Sequence, residues 1–203
     1  MNRNDTEVEA KFYLGNPDGL RRRLEALGAV LAHPRVHEVN LRFDLPDGSL
    51  TRERRVLRLR RDARAVLTYK GAAQPGSEVA VRQEIETEVA DFDACRRLLE
   101  ALGYQVSVMY EKYRATYRLE DMEIVLDELP YGAFCEIEAA DGDSIHRLAE
   151  RLGLDWTARI TLSYLALFDQ LKRARGWTMR DLSFDNLHGL SVSPTELGAR
   201  RAD

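Results

Sequence analysis

The chain has 203 residues, 44% hydrophobic and 32% charged, with a net charge of −4. That length suits one large domain with a real core or two small ones; the mixed-sign charge argues against a generic nucleic-acid binder, and the apolar share argues against a disordered acidic chain. Cys95 and Cys135 form neither a metal-type spacing nor a disulfide framework, and no signal-type start or roughly 20-residue apolar span is present, so a soluble cytoplasmic protein with no membrane partner is expected.

The first element, TEVEAKFYL at 6–14, alternates with period two, as a β-strand with one charged and one apolar face does. Asn16 then suits a helix cap and Pro17 a first turn. Leu20, Leu24 and Leu27 give an apolar stripe that ends at Gly28. A long β-like stretch runs over 30–44, and PDGS at 46–49 reads as a turn. RRVLRLRRD and AVLTYKG read as a hairpin around Asp62 and Ala63. A loose loop at 71–78 leads into the strand AVRQEIETEVAD. DFDACRRLLEALG follows as an amphipathic helix capped by Asp91, with Phe92, Leu98, Leu99 and Leu102 expected inward. LEALG and LLEALG hint at an internal pseudo-repeat. Strands at 104–119, 122–129 and 133–140 come next, then helices at 144–152 and 160–175. This divides the chain into one domain over 1–175 and a tail over 176–203. In that tail Phe184 and Leu187 are expected to dock and the last residues to fray.

The first strand's pattern recurs. Glu7, Glu9 and Lys11 share one face, opposite Val8, Ala10 and Phe12. The same parity groups Arg58 with Arg60, Thr68 with Lys70, and Arg82 with Glu84 and Glu86. It also groups Lys112 with Arg114, Val125 with Asp127, and Glu136 with Glu138. One such strand alone reads as a sheet with a face in water. Six recurrences of the pattern, with amphipathic helices available to cover the apolar faces, place the charged faces towards each other if the sheet closes. Same-face neighbours lie about 7 Å apart, where two carboxylates repel by roughly 2–3 kcal/mol at an effective dielectric near 20. A divalent cation turns that repulsion into attraction. A polyanion such as a triphosphate needs basic residues for its oxygens and a hard ion, Mg²⁺ or Mn²⁺, held by carboxylates.

EVEAK resembles the ExExK signature of the CYTH superfamily, the triphosphate tunnel metalloenzymes. VLRLR with LTYKG, RQEIETEV, EKYRATY and IVLDELPYGAFCEIE resemble the family's further blocks in order, over about residues 6–168. The resemblance implies an α+β fold, a closed eight-stranded antiparallel β-barrel with helices packed outside. It also implies chemistry that depends on Mg²⁺ or Mn²⁺ and acts on a small triphosphate-containing substrate. By position, Glu7 and Glu9 would bind metal, completed by Glu136 or Glu138. Lys11, Arg58, Arg60, Lys70, Lys112 and Arg114 would hold phosphate, and Arg82 shares the face of Glu84 and Glu86. Glu84, Glu86 and Asp127 match acidic tunnel positions for a second metal or the attacking water. Lys11 would also contact the reacting phosphate.

Where family members often carry Gln-x-Asn/Asp-x-Tyr-Phe-Asp, the chain reads Glu38, Asn40, Arg42, Phe43 and Asp44, so Arg42 stands in place of the usual tyrosine. Tyr131 is expected only to shape a turn. His33, His37, His146 and His188 are scattered without ligand spacing and read as structural or surface residues. Three functions fit. A triphosphatase leads. A class IV adenylate cyclase is next, although residues 1–6 lack the extended lead-in of such cyclases. A polyphosphate binder without turnover is third. A monomer or a homodimer suits each of them.

Overall fold

Residues 6–203 are described by the computed structural model. In chain order the elements are β1 (Thr6–Leu14), α1 (Pro17–Ala26), β2 (Val30–Asp44), α2 (Ser49–Arg52), β3 (Val56–Arg61), β4 (Ala65–Lys70), β5 (Ala80–Val89) and α3 (Phe92–Ala101). They continue with β6 (Gln105–Leu119), β7 (Met122–Leu129), β8 (Gly132–Glu138), α4 (Gly142–Arg151), β9 (Arg159–Ile160) and α5 (Tyr164–Arg175). The strands run β5-β4-β3-β2-β6-β7-β8-β1, and β1 also pairs with β5, so eight antiparallel strands form a ring. β9 adds two residue pairs to the part of β1 beyond β5.

Alternation decides which side chains face in. Val8, Ala10 and Phe12 of β1 join Ile124 and Leu126 of β7 and Cys135 and Ile137 of β8 on the outside of the ring. There they meet Leu20 and Leu24 of α1 and Ile145 and Leu148 of α4. Phe12 is fully buried, and each such side chain contributes about 1.5–3 kcal/mol. The helices start where caps satisfy their first amides. The Asn16 side chain accepts from the Gly19 N–H at 2.9 Å, and Asp141 accepts from the Ser144 N–H at 2.8 Å. A smaller cluster of Leu41, Phe43, Leu59 and Leu99 lies under α3.

A third cluster lies across one end of the ring. The inward-facing Tyr13, Tyr110, Leu129 and Phe134 pack against Tyr164, Leu167, Phe168 and Leu171 of α5. Leu182, Leu187 and Leu197 of the C-terminal segment complete it. The Tyr131 hydroxyl is part of this arrangement and donates to the Tyr164 carbonyl at 2.8 Å. Tyr131 therefore does more than shape a turn: it anchors the start of α5.

Four local expectations need correction. The last long helix begins at Tyr164 rather than 160, because Ser163 caps it by accepting from the Ala166 N–H, while Arg159 and Ile160 pair with β1. On α3, Leu98 and Leu102 face outward, 61% and 65% exposed; the stripe that docks is Phe92, Cys95 and Leu99, spaced i, i+3, i+7. The PDGS turn continues into the single turn α2, which Asp44 holds by accepting from the Leu50 and Thr51 N–H groups. The last residues are packed rather than frayed. The Ala202 N–H donates to the Tyr13 carbonyl at 3.0 Å, and the Asp203 carboxylate accepts from the Gly15 N–H at 2.6 Å. Among the described residues no helix is long and apolar enough to cross a membrane. Residues 1–5, with most of the lead-in noted above, lie outside the described residues.

Candidate active site

The ring encloses a cavity of about 860 Å³. Glu7, Glu9, Lys11, Arg58, Arg60, Lys70, Arg82, Glu84, Glu86, Lys112, Arg114, Glu136 and Glu138 all line it. They come from six different strands, and period-two alternation alone turns them inward. Asp127 does not reach the cavity surface. It is 1% exposed and sits beneath the lining, where its carboxylate accepts from Lys112 Nζ at 3.0 Å, Arg114 Nε at 2.7 Å and the Tyr164 hydroxyl at 2.8 Å. With its oxygens so engaged, Asp127 orders two cations instead of presenting a free acid to the cavity.

The acidic side gathers where β7, β8, β1 and β5 adjoin. Register sets Glu9 opposite Glu138, and Glu138 opposite Glu123. Among the described residues Glu138 forms no ion pair. Burial, then the charges of Glu7, Glu123, Glu84 and Glu9, push its carboxyl up to about 7. Glu84 also rises to about 7: burial, with Glu7 and Glu86, prevails over Lys70 at 3.0 Å. Burial raises Glu9 as well, aided by Glu136 and Glu7 against Lys11. Glu7 behaves oppositely. Burial would raise it, but Lys70 at 2.5 Å and Arg82 at 2.7 Å bring it down to about 2. For Glu136 the same contest is won by Lys11 and Arg114, each at 2.6 Å, which hold it well below the usual carboxylate range.

The basic side is formed by β3, β2 and β6. Glu38, 2% exposed, lies behind it, 3.5 Å from Lys112 and 4.0 Å from both Arg60 and Arg114. Burial is outweighed by these cations, and Glu38 falls to about 2. Glu38, Tyr110 and Tyr164 are site residues that the sequence reading did not select. Glu38 has the parity of Asn40 and Arg42, and Tyr110 that of Lys112 and Arg114, so alternation could have found both. Tyr164 arrives from α5, with its ring centroid 4.5 Å from Lys11 Nζ and 5.5 Å from Lys112 Nζ. No local pattern announces that contact.

Carboxylate oxygens are the donors that Mg²⁺ and Mn²⁺ take, and the unpaired Glu138 marks a region of negative potential. The donor chemistry therefore fits a hard cation. The side chains are not converged on one: among the described residues no group of three or more His, Cys, Asp or Glu has metal-holding geometry. Glu7, Glu9 and Glu136 turn instead towards Lys70, Arg82 and Lys11.

A closed ring of strands with a charged interior and an apolar exterior under helices defines a class of proteins whose chemistry lies inside the sheet. The chain belongs to the CYTH domain family, whose model matches residues 5–155. A Methanocaldococcus jannaschii protein named "Putative adenylate cyclase" is 27% identical over 139 residues, covering 68% of this chain and 78% of that protein. Among solved structures, the PH1819 protein from Pyrococcus horikoshii superposes with a TM-score of 0.68 at 26% identity, covering 81% of this chain and 98% of that one. A Vibrio parahaemolyticus protein described as a "putative adenylate cyclase" gives 0.72 at 23%, covering 82% and 99%. A Hippeastrum protein, "Putative adenylyl cyclase HpAC1", described as having a dominant triphosphatase activity, gives 0.59 at 20%, covering 80% and 95%. The last two likenesses are of fold.

Proposed function

We propose that this chain is a metal-dependent triphosphatase acting on inorganic triphosphate or a nucleoside or thiamine triphosphate inside the ring. One observation carries the reading: a basic wall and an acidic wall face each other across one cavity. Lys11, Arg58, Arg60, Lys70, Arg82, Lys112 and Arg114 hold the phosphate oxygens and stabilise charge that spreads over the transferring group. Glu7 and Glu9, with Glu136 or Glu138, hold Mg²⁺ or Mn²⁺, which supplies neutralising charge to the phosphate chain when bound. Glu84, with a carboxyl near 7, suits the proton of the attacking water; Glu86 lies on the same face. Water adds to the terminal phosphorus, the bridging P–O bond breaks, and phosphate leaves the diphosphate.

Adenylate cyclase is the second reading, favoured by the name of the Methanocaldococcus jannaschii relative. There the ribose 3′ oxygen attacks the α-phosphorus of ATP and pyrophosphate departs. The two are separated by incubating the protein with tripolyphosphate, thiamine triphosphate and ATP plus Mg²⁺ or Mn²⁺, and resolving phosphate, pyrophosphate and cyclic AMP. Release of phosphate, abolished by Glu9→Gln and by chelation, is expected. Cyclic AMP with pyrophosphate selects the cyclase, and no product from any substrate selects a binder.

A further inference from the structure

We propose that Arg42 and Arg58 form a further anion subsite towards the α5 end of the cavity, through which Arg42 selects a substrate with a phosphate group, not a nucleoside, at that end. The inference rests on reading the cavity as a triphosphate site.

β2 and β3 pair so that Arg42 stands directly opposite Arg58, and Asn40 opposite Arg60. Arg42, Arg58 and Arg60 line the cavity. Like charges directly opposite each other destabilise a sheet, and among the described residues Arg42 has no ion pair to offset the pairing. Buried polar atoms are left over as well. The Nε of Arg42 and Arg58 and both side-chain polar atoms of Asn40 lack hydrogen-bond partners, and Asn40 is fully buried, while Arg60 Nε already has the Asp62 carboxylate at 3.2 Å. Each unsatisfied buried donor is costly, and those of Arg42 and Arg58 belong to side chains that line the cavity, where anion oxygens would satisfy them together. The neighbouring Tyr110 reports the same surplus of positive charge: burial would raise its hydroxyl, but Arg58, Lys112 and Arg42 pull it down.

Asn40 faces Tyr110, a member of the cluster under α5, and Arg42 lies one step further along the inward face of β2. Beyond it the cavity wall continues through Arg54, Arg55 and Lys172. A nucleoside seated there would meet guanidinium groups without supplying acceptor charge, whereas a terminal phosphate supplies several charged oxygens.

Calorimetric titration of tripolyphosphate and ATP, in buffer without divalent ions so that turnover is off, tests this on wild type, Arg42→Gln and Arg42→Lys. Wild type is expected to bind tripolyphosphate more tightly. Arg42→Gln is expected to weaken tripolyphosphate roughly tenfold or more and ATP less than about threefold, while Arg42→Lys keeps most of the preference. The melting temperature of Arg42→Gln should not fall, since the substitution relieves a like-charge contact. Equal losses for both ligands, or no loss for either, overturn the subsite. If Arg42→Gln does not fold, a lysine variant without the wild-type preference does so too. Selective binding with no turnover once Mg²⁺ is restored would refute the triphosphatase and leave the subsite standing. Turnover alongside equal losses would do the reverse.

Discussion

Asp127→Asn removes one charge from beneath the basic wall while keeping the shape of the side chain. In the native protein this carboxylate lies against Lys112, which is 2% exposed, and against Arg114. Breaking a buried ion pair by deleting one partner typically costs about 3–5 kcal/mol, because the other charge stays buried and uncompensated. Here Lys112 keeps Glu38 at 3.5 Å and Arg114 keeps Glu136 at 2.6 Å. Those remaining partners place the loss near the lower limit, about 3 kcal/mol. That is a large part of the stability of a typical domain. Urea unfolding followed by fluorescence would show the midpoint falling by roughly 1–2 M at unchanged slope. Saturating tripolyphosphate should shrink the deficit, because its oxygens would compensate Lys112 and Arg114. A loss under about 1 kcal/mol, well below the range for broken buried pairs, would refute the argument that Asp127 is what keeps these two cations in place.

Tyr164→Phe keeps the ring beside Lys11 and removes only the hydroxyl that donates to Asp127. A loss of about 2 kcal/mol is expected, less than additive with Asp127→Asn in a double-mutant cycle; strict additivity would contradict the shared contact. Glu38 titrates at about 2 when folded against an ordinary value of 4.5, so it binds its proton less readily in the folded state. Its stabilisation, about 3 kcal/mol, is therefore fully present above pH 4.5 and is lost as pH falls towards 2. Unfolding curves of wild type and Glu38→Gln should converge across that window, and parallel curves would contradict the assignment. Deleting residues 199–203 removes the hydrogen bonds from the Ala202 N–H to Tyr13 and from Gly15 to Asp203. It should cost about 1–3 kcal/mol; an unchanged melting temperature would show that the segment adds nothing.

The faces of the strands were legible because the interior is charged. In an ordinary sandwich, period two separates core from water; here it separates an apolar outside from a charged inside, and the pattern is equally clean. That is why the inward parity of Glu7, Arg58, Lys112 and Glu136 could be read directly. Depth could not. Alternation states which way Asp127 points, not that Lys112, Arg114 and Tyr164 close over it. Helix docking was legible only in part. Leu98 and Leu102 are as apolar as Leu99, and the narrow contact with β3 decides which of them is buried. The placement of α5 over one end of the ring depends on contacts from Tyr13 to Leu197, and no window of sequence encodes these. The interlocked ion pairs of Glu7 and Glu136 likewise arise from side chains brought together from distant strands.

The seams of the ring are unequal. β1 and β5 share four residue pairs, while the other seams share from five to twelve. The chain is thus a bracelet whose clasp is its shortest join, and Glu7 faces Arg82 across that clasp. Local opening draws on the least-fastened part of a structure. Amide exchange should therefore be faster along Thr6–Glu9 and Ala80–Gln83 than along the antiparallel β2–β6 pair. Any molecule that ties Glu7 and Glu9 to the far wall would close the clasp and slow that exchange from within.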